Sequence, residues 1–302
     1  MTIIERPING FKSTLRNSKL NYPQSTNPNA PRFFFNMLSV ASRGGSKTYT
    51  MVKLIKDYEN HKLIDNDGII HPLRTTLISP TYDANPIFKN LKSLSDDDIY
   101  SEYNDDIFQN IMDDIEDVKE EIKEFKEYKD AYILVDKTPK KDIPNLFKNN
   151  PNIFNILEKY DYQHYKSIPQ PRYNEMPINI IIMDDLVGSD AFSNKSKSLL
   201  TYYLLRNRHY MISFCMLVQN LKSVPKKIRS NCNLYILGKF ASEKVILQDL
   251  YEEISNVLTE EQFQEIYNHA VKDKKYGNFI IDNTGDVKRF YTNFEKELIV
   301  EN

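Results

Sequence analysis

The sequence predicts an α/β fold, a mainly parallel sheet with helices on both faces. Three observations carry this. The runs Ile178–Asp185 and Met211–Gln219 are almost continuously apolar, as strands buried on both faces are. Segments with helical spacing separate such runs, and alternation of strand and helix implies parallel pairing. The apolar stretch Phe33–Val40 leads into a loop of small residues, and Lys47-Thr48 then opens a helix.

Each element has its own warrant. Residues 1–30 are polar and rich in Asn, Pro and Ser, the composition of an extended, disordered arm. The core, residues 31–302, begins with the strand at 33–40. A helix is expected over Lys47–Asn60 because Met51, Leu54, Ile55 and Tyr58 fall on one face. Arg74–Ser79 reads as a second strand, ended by Pro80. From Ser95 to Asp130 the pattern is helical: Ile107, Ile111, Ile115, Val118, Ile122 and Phe125 recur on one face and acidic residues fill the other. Residues 137–177 carry six prolines, which points to an irregular connection with one short helix near 151–160. Residues of about 95–177 therefore form a helical acidic insertion between core strands. The two long apolar strands flank a helix at about 194–208. A strand at Asn233–Gly238 and helices at about 242–256 and 259–272 follow. Asn278–Asp282 and Val287–Tyr291 are expected to pair as a hairpin around Asn283-Thr284-Gly285.

The net charge of −2 is unevenly spread. Residues 94–130 hold 15 Asp or Glu and 4 Lys, a balance of −11, which leaves +9 on the rest of the chain. A modestly basic body with one acidic arm is compatible with nucleic acid without demanding it. Cys215 and Cys232 have no metal-ligand partner at short spacing and read as reduced, buried thiols. Met1–Arg6 lacks a secretory apolar region, and no apolar stretch approaches the ~20 residues that span a bilayer. The expectation is a soluble intracellular protein.

The loop Ala41-Ser42-Arg43-Gly44-Gly45-Ser46-Lys47-Thr48 carries the chemistry. A phosphate-binding loop reads G-x-x-x-x-G-K-[ST]. Here Ala41 and Ser46 stand at the two glycine positions, and Gly44 and Gly45 lie between them. Such a loop aims backbone N–H groups and a helix N-terminus at an anion, and glycine lets it turn tightly. Residues Ser42 to Thr48 are therefore the candidates to wrap the phosphates of ATP. The Lys47 ammonium would reach the β- and γ-phosphates and the Thr48 hydroxyl would bind Mg2+. The strand ending in Asp184-Asp185 supplies a second piece. A carboxylate at a strand's C-terminal end projects where ligands bind in α/β sheets. Asp184 is assigned to Mg2+ and Asp185 to the attacking water, as base or positioner. Gln219 ends the Met211 strand and could contact the γ-phosphate or that water. Arg229 is a candidate arginine finger for a neighbouring subunit's nucleotide, with Arg206 and Arg208 as rivals. Lys222, Lys226 and Lys227 form a weak candidate for DNA phosphates.

Three stretches resemble one family closely. They are Arg208-His209-Tyr210-Met211-Ile212-Ser213, Val218-Gln219-Asn220, and Val224-Pro225-Lys226-Lys227-Ile228-Arg229-Ser230-Asn231. Ile78-Ser79-Pro80-Thr81-Tyr82, Asp184-Asp185, Lys288-Arg289-Phe290 and Phe294 add to them. Over roughly residues 33–295 the chain resembles the poxvirus-type genome-packaging ATPases of large cytoplasmic DNA viruses, virophages and related mobile elements. These belong to the FtsK/HerA superfamily of P-loop DNA translocases. The resemblance implies a RecA-like (ASCE) fold and a homo-oligomeric ring, hexamer or pentamer. It also implies ATP-driven pumping of double-stranded DNA into a capsid, with the capsid or portal vertex as partner. The location it implies is the host cytoplasm or viral factory, and the virion. Family members keep glycine directly before the lysine; this chain has Ser46, which bears on turnover. Two other readings compete. A terminase- or helicase-like ATPase is one, although the residues after 240 lack the clustered carboxylates of a terminase nuclease. A non-hydrolysing DNA-binding or capsid-scaffold protein with a degenerate loop is the other.

Overall fold

The computed structural model describes residues 22–193, 198–240, 243–254, 258–271 and 276–299. Most of the arm expected at 1–30, and the start of the helix expected at about 194, lie outside them. The strands are β1 (Gln24–Ser25), β2 (Asn36–Val40), β3 (Leu63–Ile64), β4 (Leu73–Ile78), β5 (Leu94–Tyr100), β6 (Ile178–Asp184), β7 (Ile212–Val218), β8 (Leu234–Leu237), β9 (Phe279–Asp282), β10 (Arg289–Thr292) and β11 (Lys296–Glu297). The helices are α1 (Lys47–Asn60), α2 (Asp105–Lys137), α3 (Ile143–Asn149), α4 (Pro151–Glu158), α5 (Leu199–Leu204), α6 (Lys226–Arg229), α7 (Glu243–Ile254) and α8 (Glu260–Val271).

Nine strands form one sheet in the order β11-β10-β9-β8-β2-β7-β6-β4-β5. The pairings from β8 to β5 are parallel, and β9, β10 and β11 extend the β8 edge antiparallel. The loop-bearing strand β2 and the acidic strand β6 are not neighbours; β7 lies between them. The inserted strand places the end of β7 beside the end of β6.

Alternation along the strands divides the core by face. Met37, Ile180, Ile182, Cys215, Leu217 and Ile236 point to the side covered by Met51, Leu54, Ile55 and Tyr58 of α1. Leu38, Val40, Ile181, Met183, Phe214, Met216 and Leu237 point to the side covered by α2, α5, α7 and α8. With both faces covered, polar alternation has no place, which is why these runs read as continuously apolar. Each fully buried Leu, Ile or Met contributes about 1.5–3 kcal/mol. Cys215 is buried, as expected, whereas Cys232 is only half-buried.

Two expectations need correction. The helical reading from Ser95 onward is wrong over its first residues. Leu94–Tyr100 is the edge strand β5, parallel to β4, and the helix starts only after Asn104, whose side chain accepts from the Ile107 N–H at 2.7 Å. The physical reason is Asp98, buried against Arg74 of β4. Its exposed neighbours Ser95, Asp96 and Asp97 charge a sheet edge rather than a helix face. The helix expected at about 194–208 is shorter as described, Leu199–Leu204, and residues up to 211 are turns. Beyond the sheet, the far half of α2 packs with α3 and α4 around Tyr128, Ala131, Leu157 and Ile168, a small core of its own.

Candidate nucleotide site

The loop between β2 and α1 is pinned from three sides. Its entry is tied to the neighbouring strands: the Ala41 N–H donates to the Val218 carbonyl at 3.3 Å and the Ser42 N–H to the Lys239 carbonyl at 2.8 Å. The Gly45 N–H turns inward to the Ser42 carbonyl at 3.0 Å. The shifted glycines then make sense. Gly44 has φ of 76°, a left-handed conformation that glycine adopts freely. Gly45 is needed for clearance: a Cβ there would lie 2.7 Å from the Ala41 Cβ. Gly238 at the end of β8 clears the same methyl from the other side, where a Cβ would come within 2.6 Å of it. Ser46 has φ of 58° and takes the left-handed conformation without being glycine. Its hydroxyl donates to the Gly45 carbonyl at 2.8 Å and accepts from the Asn278 amide at 2.7 Å.

Lys47 opens α1 and is buried. Its ammonium donates to the Ala41 carbonyl at 2.9 Å, folded back across its own loop. Burial lowers its pKa, and the charges of Asp185 and Asp184 oppose that. Both carboxylates thus lie close enough to act on the lysine. Asp184, the last residue of β6, is 4% exposed, and its carboxyl is pushed up to about 6. Burial is the main cause and the charge of Asp185 the next, with Lys47 pulling the other way. Asp185 sits in a left-handed turn with φ of 55°. Its Oδ1 accepts from the Gln219 amide at 3.1 Å, across the ends of β6 and β7. The structure therefore brings Lys47, Asp184, Asp185 and Gln219 to one edge of the sheet.

The donors fit a magnesium ion. Asp184 and Thr48 offer hard oxygens, and a desolvated carboxylate at high pKa gains most from a cation. Among the described residues no cluster of three His, Cys, Asp or Glu could hold a metal alone. Mg2+ is ordinarily held by one or two carboxylates together with substrate phosphates. A cleft of about 670 Å³ opens over Gly44–Thr50 and runs between Ile87 and Asn85 on one side and Tyr276, Asn293 and Glu295 on the other. This size suits a small-molecule ligand. Ser42, Arg43, Asp184, Asp185 and Gln219 lie outside that lining.

Other sequence candidates fall elsewhere. Arg229 is not a free side chain. It forms a two-pronged pair with Glu253 of α7 at 2.6 and 3.1 Å and also donates to the Leu221 carbonyl at 3.2 Å. Its side chain is 12% exposed. In this conformation α7 packs beside the single turn of α6, and Glu253 engages the guanidinium expected to reach a neighbouring subunit's nucleotide. Arg206 and Arg208 are exposed, and the Arg206 guanidinium lies 3.9 Å over the Tyr202 ring. Both precede β7, so they sit at the sheet edge opposite the loop. Lys222 is exposed and lies 3.6 Å from Asp249. Sequence reasoning missed Asn278 and Gly238. Neither belongs to a motif, and both act on the loop from far along the chain.

No family model and no curated protein matches the chain. Solved structures do. The genome-packaging NTPase B204 of Sulfolobus turreted icosahedral virus 2, in complex with AMP, matches at 11% identity and a TM-score of 0.46, over 85% of this chain and 96% of that one. The same protein with ATP-gammaS matches at 12% identity and 0.45, over 88% and 98%. The cytoplasmic domain of the type VII secretion ATPase EccC from Thermomonospora curvata matches at 12% and 0.40, over 84% of this chain and 25% of that one. The solved structures similar to this chain thus include a viral genome-packaging NTPase and a secretion ATPase, at low identity.

Proposed function

We propose that this protein is an ATP-hydrolysing motor that drives double-stranded DNA into a viral capsid. The observation that carries the ATPase part is the meeting of Lys47, Asp184, Asp185 and Gln219 at the ends of β2, β6 and β7. In this reading the Ser42–Thr48 loop wraps the phosphates with the backbone N–H groups of Gly44, Ser46, Lys47 and Thr48, those of Ser42 and Gly45 being engaged by carbonyls of the protein. Lys47 leaves the Ala41 carbonyl and neutralises charge on the β- and γ-phosphates. Thr48 and Asp184 hold Mg2+, which when bound neutralises the phosphate oxygens. Asp185 orients the attacking water and accepts its proton. Gln219 keeps Asp185 in place before attack, and through that hydrogen bond it reports the state of the γ-phosphate to β7.

The DNA and capsid parts rest on the resemblance of the Arg208–Ser213, Gln219 and Pro225–Asn231 block to packaging ATPases. A homo-oligomeric ring, double-stranded DNA in its centre and a portal vertex as dock belong to the same proposal. So does an intracellular site of action; among the described residues no helix is long and apolar enough to cross a membrane. Arg229 serves as the finger only if a neighbouring subunit displaces Glu253. Arg206 and Arg208 stay as rivals.

The test is phosphate release by purified protein with and without double-stranded DNA. Wild type should be stimulated by DNA, and Lys47→Ala and Asp185→Asn should lose at least about 100-fold in rate. Equal rates for all three under conditions of ring assembly would sink the motor. Mixing Arg229→Ala with Lys47→Ala subunits should restore part of the activity; no recovery at any ratio removes Arg229 from the finger role.

A further inference from the structure

We propose that Asn278, at the root of the terminal hairpin, is a positioning residue that holds Ser46 in its left-handed conformation and so sets the shape of the phosphate loop. The inference rests on the reading of this loop as an ATP site.

The argument starts from Ser46. At φ of 58° and ψ of 18° it stands directly before Lys47, where the loop pattern wants glycine. A residue with a Cβ disfavours that region by roughly 1–2 kcal/mol. Something must offset the cost, and the surroundings of Ser46 supply it. Asn278 is fully buried. Its amide nitrogen donates to Ser46 Oγ at 2.7 Å and to Thr50 Oγ1 at 3.0 Å, so one side chain bridges the loop and the first turn of α1. The Ser46 hydroxyl donates its own hydrogen bond to the Gly45 carbonyl. The serine hydroxyl is thereby an acceptor for the hairpin and a donor to the loop, a role that glycine cannot play.

Asn278 is itself held firmly. Its backbone N–H donates to Asn293 Oδ1 at 2.9 Å, and the Asn293 N–H returns a bond to the Asn278 carbonyl at 3.1 Å. Its Oδ1 faces Gly238, where a Cβ would lie 3.0 Å away. That oxygen is buried without a hydrogen-bond partner, and the amide nitrogen is the group that keys the β9–β10 hairpin to the loop. A loop with glycine at this position needs no such brace. This chain replaces intrinsic backbone freedom with a buried hydrogen bond.

The test is a double-mutant cycle read as affinity for a fluorescent ATP analogue, with thermal unfolding in parallel. Asn278→Ala in the wild-type chain should weaken binding about tenfold, equivalent to roughly 1.4 kcal/mol. The same substitution added to Ser46→Gly should change affinity less than about twofold, because glycine takes the left-handed conformation unaided. An equal loss in both backgrounds would overturn the inference and make Asn278 a packing residue of the hairpin. If Asn278→Ala does not fold, Ser46→Ala against Ser46→Gly gives the answer. Alanine keeps the conformational cost and loses the hydrogen bond, so it should bind about tenfold more weakly than the glycine variant; equal affinities would overturn the inference. Failure of the underlying ATP reading looks different: wild type and Lys47→Ala would then bind the analogue equally poorly.

Discussion

The loop between β2 and α1 and the root of the acidic insertion are both fixed to the same sheet, by opposite means. The loop is braced by neutral groups: the Asn278 amide, backbone carbonyls at Val218 and Lys239, and clearances at Gly45 and Gly238. The insertion is anchored by charge. Arg74 of β4 pairs with Asp98 at 2.5 Å and Asp114 at 2.6 Å, and Arg172 pairs with Asp114 at 2.5 Å and Glu121 at 3.2 Å. The difference follows from what each region must do. Neutral bracing leaves Lys47, Asp184 and Asp185 uncommitted to a fixed ion-pair lattice, so a charged ligand can claim them. At the insertion root an acidic helix is held by spending its charges on arginines.

The sharpest way to break the comparison is Arg74→Ala. It leaves Asp98 buried and Asp114 half-buried without their shared cation, and removing one partner of a buried pair costs about 3–5 kcal/mol. The lower end applies because Asp114 keeps Arg172. Chemical denaturation should show a loss of about 3 kcal/mol, with ATP affinity of the folded fraction unchanged. Burial raises the Asp114 carboxyl, but Arg172 and Arg74 outweigh it and hold it below the usual carboxylate range. A carboxyl so depressed gives stability that is present above its unfolded value and lost as pH falls through the folded one. The gap between wild type and Arg74→Ala should therefore narrow below about pH 4. A gap that stays constant down to pH 3 would mean that Arg74 acts through packing alone.

The converse holds at the nucleotide site, where a charge is kept at a cost. Asp184 is desolvated and repelled by Asp185, so Asp184→Asn should stabilise the metal-free protein by about 2 kcal/mol while abolishing the proposed hydrolysis. Differential scanning calorimetry in EDTA measures it. A lower melting temperature would show that the carboxylate is structural rather than held ready for a cation.

How far these two regions were legible in the sequence differs for the same reason. Strands buried on both faces announce themselves, so β2, β6 and β7 and the residues at their ends, Lys47, Asp184-Asp185 and Gln219, were readable from local pattern. β5 was not, because its meaning depends on Asp98 finding Arg74 on another strand, and a run of acids beside a helix looks like more helix. The loop was half legible. Gly44 and Gly45 could be seen, but not that Gly45 exists to clear the Ala41 methyl, nor that Ser46 is braced by a residue 232 positions away. Arg229 was legible as a motif residue and not as the partner of Glu253. Partners distant in sequence leave no periodic signal.

Gly238→Ala probes the neutral side. A methyl there meets the Ala41 Cβ at 2.6 Å and the Gly45 carbonyl at 2.9 Å, with rigid backbone on one side. Overpacking of this kind costs about 1–3 kcal/mol. The loop must move to relieve it, so ATP-analogue affinity should fall several-fold along with stability. Lost stability at unchanged affinity would show that the loop tolerates displacement.

Lys126→Ala should do least, and its smallness sharpens the contrast within the charged region itself. Lys126 on α2 pairs with Glu175 at 2.5 Å, as short a contact as Arg74 makes with Asp98. Distance is therefore matched and burial is not: the lysine side chain is 45% exposed and that of Arg74 9%. An exposed pair is screened by solvent and gives back side-chain entropy when broken, so its loss costs about 0.2–1 kcal/mol. The value should sit at the lower end and vanish in 1 M salt, where the Debye length shrinks to about 3 Å. The Arg74→Ala loss, made where salt does not reach, should survive the same salt. If both losses fell together, the anchoring of the insertion would be a matter of surface charge. If neither did, Lys126 would hold the helix through its methylene stem, and burial of the charge would not be what separates the two pairs.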